Sequence, residues 1–297
     1  MRIGTAERGS TFWTQGLALQ TVLRAAGIAE PIDVLDSVAA SIENAQRLAS
    51  SDLDYGFMAA NWIGRALRGE SPFTASIGLR MVAPMNAGPM YFISRAESDI
   101  PGVRDLKGKR VVVGAPGSGT VQHALSIFST LGFGFDDITP VFLDYRSGGE
   151  ALAAGQVDAQ LQCPIPNPVM TALDARYDFR VLPYAAGDLE TVLAKNSVYR
   201  RVVMRKGALR ALLDDVAQPG VVNVLVTHER QKREDVASVV RVVIAGAEEL
   251  QRLNPLFTGL AELWDPLKSA GPGALEFEGV PLHEGAREAY RAAGLLN

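Results

Sequence analysis

The sequence of 297 residues predicts an α/β fold whose strands are mostly parallel. Two observations lead to this prediction. Short apolar runs rich in β-branched residues alternate with amphipathic stretches, which is typical of strands connected by helices. In addition, two parts of the chain follow the same β-loop-α-β-α-β plan at an offset of about 105 residues. The composition, 47% apolar and 21% charged, is that of a globular protein and excludes global disorder.

Seven short runs predict strands, and four longer stretches predict helices. The strands are 2–5, 31–36, 54–58, 109–114, 141–145, 158–163 and 221–227. The helices are 16–27, 41–50, 120–132 and 234–253. In the last of these, apolar residues from Val236 to Leu250 recur at helical spacing, so we expect one long helix there.

The internal repeat predicts two similar lobes. The first copy runs from Ile3 through a loop ending in Gly9-Ser10-Thr11, and the second runs from Val111 through the loop 115–120. Each copy continues with a helix, a strand, a helix rich in small residues and a strand that opens on an aspartate. The alternative is that any α/β chain alternates strands and helices, but the matching loops favour duplication. We assign 1–95 and 188–297 to lobe 1 and 96–187 to lobe 2, with a crossing in the Pro- and Gly-containing stretch 80–103.

The second loop, Ala115–Thr120, predicts an anion site. It joins a strand to a helix whose first backbone N–H groups lack intrahelical partners, and the helix dipole adds positive charge there. Ser118 or Thr120 can cap the helix or donate to a ligand. The alternative is a capped helix after a glycine-rich turn. A phosphate-binding P-loop is excluded because no lysine follows Gly119, and a dinucleotide site because Gln122 replaces the third glycine.

The first loop offers similar donors together with an arginine. Ser10 and Thr11 stand at the start of the predicted helix, and Arg8 can grip a carboxylate with two parallel hydrogen bonds. The alternatives are that Arg8 is solvated or pairs with Glu7. Trp13 can line a pocket, although aromatic residues after a turn also serve as core.

Catalytic, metal and nucleic-acid sites find little support. His228-Glu229 resembles the start of a zinc-protease motif, but Lys232 stands where the second histidine belongs. Cys163 is the only cysteine, which excludes an intramolecular disulfide, and its apolar surroundings favour a buried thiol over a nucleophile. The net charge of −4 without a basic run argues against nucleic acid. No apolar run reaches the ~18 residues of a membrane span. We therefore expect a non-enzyme without metal, cofactor or membrane insertion.

Five segments resemble the TAXI family, the solute-binding subunits of TRAP-type secondary transporters. They are Ile3–Trp13, Ser41–Asn44, Asp52–Asn61, Asp105–Thr120 and Pro281–Leu295. The sequence departs from the family pattern at Ala6-Glu7-Arg8 and at Ala59-Ala60-Asn61. The resemblance implies a two-lobed type II periplasmic-binding-protein fold, in which each lobe is a mostly parallel sheet flanked by helices and the ligand cleft lies between the lobes. It also implies a small carboxylate ligand, such as an amino acid or a dicarboxylate, and membrane transporter subunits of the TRAP type as partners.

The leading hypothesis is therefore a periplasmic solute-binding protein for a small organic anion. The first residues carry no basic-then-apolar leader, so a cytoplasmic location is expected if the native protein also lacks one. The alternatives are a lyase or decarboxylase on the same scaffold, which a cleft containing Glu43, Cys163 or His283 would favour, and a cytoplasmic ligand sensor. The expected ligand-binding residues are Arg8, Gly9, Ser10, Thr11, Trp13, Ser41, Asn44, Asn61, Gly117, Ser118, Gly119, Thr120, Tyr145 and Asn167.

Overall fold

The computed structural model describes residues 1–28, 30–116, 118–162 and 165–297. The strands in these ranges are β1 (Arg2–Gly4), β2 (Asp33–Leu35), β3 (Tyr55–Ala59), β4 (Leu79–Pro89), β5 (Tyr91–Arg95), β6 (Arg110–Val112), β7 (Thr139–Val141), β8 (Ala159–Gln162), β9 (Phe179–Val181), β10 (Tyr199–Met204) and β11 (Val216–His228). The α-helices are α1 (Thr11–Ala25), α2 (Ser41–Ala49), α3 (Ala60–Arg68), α4 (Gly119–Thr130), α5 (Tyr145–Ala153), α6 (Pro168–Asp174), α7 (Asp188–Lys195), α8 (Arg233–Ala245), α9 (Ala247–Leu253), α10 (Pro266–Ala270) and α11 (Glu284–Ala292). Short 3-10 helices cover Val103–Leu106, Phe135–Asp137, Pro255–Phe257, Ala261–Trp264, Pro272–Leu275 and Phe277–Gly279.

The chain divides into two compact units by its packing. Unit 1 contains Met1–Ala87 and Val222–Asn297, and unit 2 contains Gly88–Val221. The chain therefore leaves unit 1 inside β4, within the stretch expected to hold the crossing, and returns inside β11. These boundaries differ from the predicted ones at 95/96 and 187/188. The residues 188–221 belong to unit 2 because β10 pairs with the first half of β11 and α7 packs against α4 and β10.

The sheet of unit 1 is built around three parallel strands. β1 lies between β2 and β3, and the second half of β11 joins the free side of β3 in the antiparallel direction. β4 also pairs with β11. α8 packs against α11 in this unit. Gly285 allows that approach, because a Cβ there would lie 2.9 Å from the backbone nitrogen of Ala237.

The sheet of unit 2 repeats this parallel arrangement and adds antiparallel strands. β6 lies between β7 and β8, β5 is antiparallel to β8, and β9 is antiparallel to β5. The strand order is β7-β6-β8-β5-β9. Both sheets are therefore mixed, around parallel cores, and the α/β class is confirmed.

The predicted duplication is confirmed by strand register. Ile3 faces Val34 and Tyr55 on the two sides of β1, and the equivalent Val111 faces Pro140 and Ala159 on the two sides of β6. The aspartate that opens the third strand of each copy has the same contact. The Oδ2 atoms of Asp54 and Asp158 accept from the backbone nitrogens of Arg2 (2.7 Å) and Arg110 (2.8 Å).

Two sequence predictions need correction. The helix expected over 234–253 is interrupted at Gly246 and forms two helices, α8 and α9. Gly246 lies against α1, and a Cβ at this position would lie 2.5 Å from Cγ1 of Val22. The strand expected over 141–145 ends at Val141. Asp144 accepts from the backbone nitrogens of Arg146 (2.8 Å) and Ser147 (2.9 Å) and thereby begins α5, so Tyr145 is helical.

Several elements were not predicted from the sequence. They are β4, β5, β9, β10, α3, α6, α7, α10 and α11. β4 and β5 lie in the stretch where the sequence predicted a crossing between lobes and no strand. Met90, between the two strands, donates to the carbonyl of Pro219 at 2.7 Å. Within the described ranges no helix combines the length and apolarity of a membrane span.

Candidate functional site

The loop of unit 1 ends in a capped helix. The Ser10 backbone nitrogen donates to the Glu7 carbonyl (2.9 Å), which closes a turn, and the Ser10 Oγ accepts from the Trp13 nitrogen (3.4 Å). Gly9 has φ +83°, a left-handed conformation that favours glycine. Thr11 is the first residue of α1. The predicted residues Gly9, Ser10 and Thr11 thus form one turn at the helix start.

The loop of unit 2 has the same construction. The Ser118 nitrogen donates to the Ala115 carbonyl (3.0 Å), and the Ser118 Oγ accepts from the Val121 nitrogen (3.4 Å). The backbone angles of the two capping serines agree closely, φ −72° and ψ 171° for Ser10 against −73° and 159° for Ser118. Gly119 is the first residue of α4, whereas the predicted Gly117 lies outside the described residues.

The first turns of α1 and α4 carry no acidic residue. Aspartate and glutamate are enriched at this position because they compensate the positive end of the helix dipole. Both helix starts therefore keep an uncompensated positive end beside a capping hydroxyl, which suits an anion.

Thr120 and Tyr145 are brought together in unit 2. The Thr120 Oγ1 and the Tyr145 hydroxyl are 2.8 Å apart, within hydrogen-bonding distance. The Tyr145 carbonyl accepts from the Nε2 atoms of the buried Gln160 (3.1 Å) and Gln162 (3.4 Å), which fixes the start of α5. Tyr145 is thus held at its hydroxyl, by Thr120 in the first turn of α4, and at its backbone carbonyl.

Asn167 has a structural role of its own in unit 2. Its Oδ1 accepts from the Met170 nitrogen (2.7 Å), so it caps the seven-residue helix α6. It lines a cavity of about 300 Å³ together with Asp174 and Arg210. The Arg210 backbone nitrogen donates to both carboxylate oxygens of Asp174 (3.2 and 3.0 Å).

Arg8 has different partners from those expected. Its Nε lies 3.3 Å from Oδ2 of Asp36, and its guanidinium lies 5.2 Å from the centre of the Trp13 ring. Pairing with Glu7 is not the observed arrangement. The side chain is 75% exposed, so the ion pair contributes little to stability, and the guanidinium keeps most of its donors in solvent.

Ser41 and Asn44, both in α2, form side-chain hydrogen bonds with the backbone at β1 and β3 of unit 1. The Ser41 Oγ accepts from the Ala59 nitrogen (3.1 Å). The Asn44 Nδ2 donates to the carbonyls of Thr5 (2.7 Å), which directly follows β1, and of Phe57 (2.9 Å), in the middle of β3, and so links these neighbouring strands. Both contacts are internal to the protein. Asn61 lies in the first turn of α3, and its buried Oδ1 has no hydrogen-bond partner in the described part of the chain.

A polar chain in unit 1 was not found from the sequence. The Oδ1 of Asn86 accepts from the Nε2 of Gln15 (3.0 Å) and from the Nδ2 of Asn223 (3.2 Å). Gln15 and Asn86 are buried. The sequence carries one signal for this polar chain, namely amide residues in otherwise apolar segments. Gln15 stands directly before GLAL, and Asn223 interrupts VVNVLV.

The buried histidine of unit 2 is paired with a tyrosine. The His123 Nδ1 lies 2.8 Å from the Tyr199 hydroxyl, and burial lowers the pKa of His123 to about 4. It is therefore neutral near pH 7. Burial also raises the pKa of the Tyr184 hydroxyl well above its ordinary value.

The residues that would have favoured an enzyme have structural contacts. The Glu43 carboxylate accepts from the backbone nitrogens of Val38 (3.0 Å) and Ala39 (3.3 Å). His283 caps α11, its Nδ1 accepting from the Gly285 nitrogen (3.1 Å). Cys163 lies outside the described residues. Among the described side chains, no group of three or more His, Cys, Asp or Glu is arranged to hold a metal ion.

Solved structures of binding proteins share this fold. The periplasmic aliphatic sulphonate binding protein SsuA from Escherichia coli is 18% identical with a TM-score of 0.52, and the match covers 98% of this chain and 82% of that one. The SsuA protein from Methylobacillus flagellatus is 15% identical, TM-score 0.56, covering 99% and 94%. A TctC solute binding protein from Polaromonas is 13% identical, TM-score 0.60, covering 88% and 87%.

These similarities confirm the predicted periplasmic-binding-protein fold. The family model described as the NMT1-like family matches residues 3–294, nearly the whole chain. The protein belongs to the NMT1-like family.

Proposed function

We propose that this protein is a solute-binding protein that captures a small organic anion and delivers it to a membrane transporter. The observation that carries the proposal is the duplicated site, in which Ser10 and Ser118 cap equivalent helices in the same geometry. α1 has 15 residues and α4 has 12, long enough for a developed dipole. Neither first turn carries an acidic residue that would compete with an anionic ligand.

The ligand of this proposal carries a carboxylate and is of the amino acid or dicarboxylate type. Arg8 supports an anion in unit 1, since its exposed guanidinium retains free donor capacity beyond the Asp36 contact. In unit 2 the donors would be Ser118, Thr120 and Tyr145. Two of the similar structures are named as sulfonate-binding proteins. A sulfonate presents the same negative charge to a helix start, so it belongs among the first ligands to test.

The transporter partner of this proposal is of the TRAP type, in keeping with the resemblance to the TAXI family. The site of action would then be the periplasm, which is the location named for the two sulfonate-binding proteins. Release of the ligand chemically unchanged is part of the proposal. It separates the binding protein from a lyase that would use the same fold.

Isothermal titration calorimetry tests the proposal with glutamate, succinate and ethanesulfonate as ligands. At least one is expected to bind, and S118A/T120A is expected to weaken binding about tenfold or more, because two hydroxyls at the α4 start are lost. The matched control is S129A/T130A, the same pair of changes at the other end of α4, which should leave binding unchanged. Equal affinity of S118A/T120A and the wild type would disprove the site. Mass spectrometry of the recovered ligand would reveal turnover if the lyase alternative were correct.

A further inference from the structure

The first helix of each copy buries a polar side chain at the same place. Gln15 follows the capping Ser10 by five residues, and His123 follows the capping Ser118 by five residues. Both side chains are buried. In unit 2 the Nδ1 of His123 meets the Tyr199 hydroxyl at 2.8 Å. In unit 1 the residue at the corresponding position, Gln15, is hydrogen-bonded to Asn86, which also accepts from Asn223.

The hydrogen bonds of this amide chain determine which atom is left over. The Asn86 Oδ1 accepts two hydrogen bonds, so both neighbours must present their nitrogen atoms to it. Gln15 therefore directs its Nε2 at Asn86 and keeps its Oε1 away from it. That Oε1 is buried and has no hydrogen-bond partner in the described part of the chain. A buried acceptor of this kind is costly to leave unsatisfied.

The amide chain reaches the end of β3 where the expected ligand residues of unit 1 lie. Asn223 is paired with Ala59, the last residue of β3, in the antiparallel ladder. The backbone nitrogen of Ala59 donates to Ser41, one of the predicted ligand residues. Asn223 itself is half-buried, so one end of the chain of amides is accessible. Gln15 is on the same helix as the capping Ser10.

We propose that Gln15, Asn86 and Asn223 form a neutral subsite in unit 1 that receives a hydroxyl or primary amide group of the anionic ligand, with the Gln15 Oε1 as the acceptor. This inference rests on the proposed function and narrows its ligand class to anions that also carry a neutral hydrogen-bond donor. A neutral donor suits the subsite because the three side chains are uncharged carboxamides and the hydrogen bonds that join them involve no carboxylate. An ammonium group would find no opposite charge among them.

Pairs of ligands that differ only in one hydroxyl test the subsite. Suitable pairs are malate with succinate and 2-hydroxyethanesulfonate with ethanesulfonate, measured by calorimetry on the full chain. The wild type is expected to prefer the hydroxylated member of a bound pair about tenfold. Q15L removes the acceptor at similar volume and is expected to reduce the preference to within about twofold, while the affinity for the member without hydroxyl changes little.

Q218L is the matched control. Gln218 is also a fully buried glutamine with one Nε2 bond, to the Leu182 carbonyl at 3.3 Å, and an unpartnered Oε1, but it lies in the part of β11 that belongs to unit 2. Its replacement should leave the hydroxyl preference intact. N223A provides a second test at a half-buried position if Q15L does not fold, and it should also weaken the preference.

The outcomes separate this inference from the proposed function. Equal binding of both members of a pair by the wild type would overturn the neutral subsite while leaving the anion site in place. An unchanged preference in Q15L or N223A would also overturn it. Failure of every anion to bind would overturn the proposed function and the subsite with it.

Discussion

The two copies of the repeated unit have the same arrangement of strands and helices, but the large amide side chain between them belongs to a helix in unit 1 and to a strand in unit 2. In unit 1 the helix supplies a large amide, Asn44, and the strands make room with Gly4 and Gly56, where Cβ atoms would lie 2.5 and 3.2 Å from Asn44 atoms. In unit 2 the helix supplies Gly148, and the equivalent strand residue is Gln160. A Cβ at Gly148 would lie 2.5 Å from Nε2 of Gln160.

Both copies therefore place one amide side chain between the second helix (α2 or α5) and the third strand (β3 or β8). The element that carries this side chain differs between the copies. The two amides also donate hydrogen bonds to different parts of the backbone. Asn44 donates to the carbonyls of Thr5, directly after β1, and of Phe57, in the middle of β3. Gln160 donates to the carbonyl of Tyr145, at the start of α5. The amide of unit 1 thus links two neighbouring strands, whereas the amide of unit 2 holds Tyr145, a residue expected to contact the ligand.

The largest expected effect comes from forcing unit 2 to adopt the packing of unit 1. G148N should lower the free energy of unfolding by about 3 kcal/mol, because the new side chain meets Gln160 and Val112 in a filled core. G148N/Q160G removes one of the two clashing side chains, so its loss should be smaller than the sum of the single losses by about 1 kcal/mol or more. Urea unfolding of G148N, Q160G and G148N/Q160G measures the three losses in unfolding free energy. Simple additivity would contradict the exchange.

A smaller effect is expected from acid, through His123, the counterpart of Gln15. The pKa of this histidine is about 4 in the folded protein against an ordinary value of 6.5, so the unfolded chain binds the proton first as the pH falls. Its contribution to stability is complete above about pH 6.5 and is lost towards pH 4. About 2 kcal/mol should be lost by pH 5.

Replacing His123 with the residue of unit 1 isolates this contribution. H123Q should show a decrease in unfolding free energy between pH 7 and pH 5 that is smaller than that of the wild type by about 2 kcal/mol. H228Q is the control, because His228 is only half-buried and its replacement should change the pH dependence less. The same pH dependence in H123Q and the wild type would show that His123 does not titrate as inferred.

The smallest expected effect tests the equivalence of the two helix starts. S10A and S118A should each lower the free energy of unfolding by about 1 kcal/mol, because each removes one capping acceptor of the same geometry. S10G and S118G should recover most of this loss, since glycine is tolerated at the cap. Chemical denaturation of the four variants is the measurement. A difference of more than about 1 kcal/mol between S10A and S118A would show that the two starts are not equivalent.

The helix starts could be predicted from the sequence because their determinants are local. Ser10 and Ser118 each stand before an apolar helical pattern and after glycine-containing loops, which indicates a cap without reference to the rest of the chain. The aspartates that open β3 and β8 were visible as part of the repeat, and their contacts to Arg2 and Arg110 came out the same in both copies. The capping signals depend on neighbours in the chain, whereas the aspartate contacts join residues 52 and 48 positions apart and were anticipated only through the repeat.

Other features of the candidate site depend on residues far apart in the sequence. Gln15, Asn86 and Asn223 meet only because α1, β4 and β11 pack in one unit. The partner of Arg8 was misjudged for the same reason, since Asp36 comes beside it at the end of β2. The strands from Leu79 to Arg95 were not predicted, because their prolines and glycines oppose strand propensity, and the sequence indicated only a crossing between lobes there.

The sequence by itself determined the α/β class, the duplicated unit and the two capped helix starts, since these follow from hydrophobic periodicity and from side chains that act on backbone a few residues away. Only the tertiary structure decided the unit boundaries, the exchange of Asn44 for Gly148 and the unpartnered acceptor on Gln15. These depend on which surfaces meet after the chain has folded, and the free energy of such contacts is a property of both partners rather than of either residue alone.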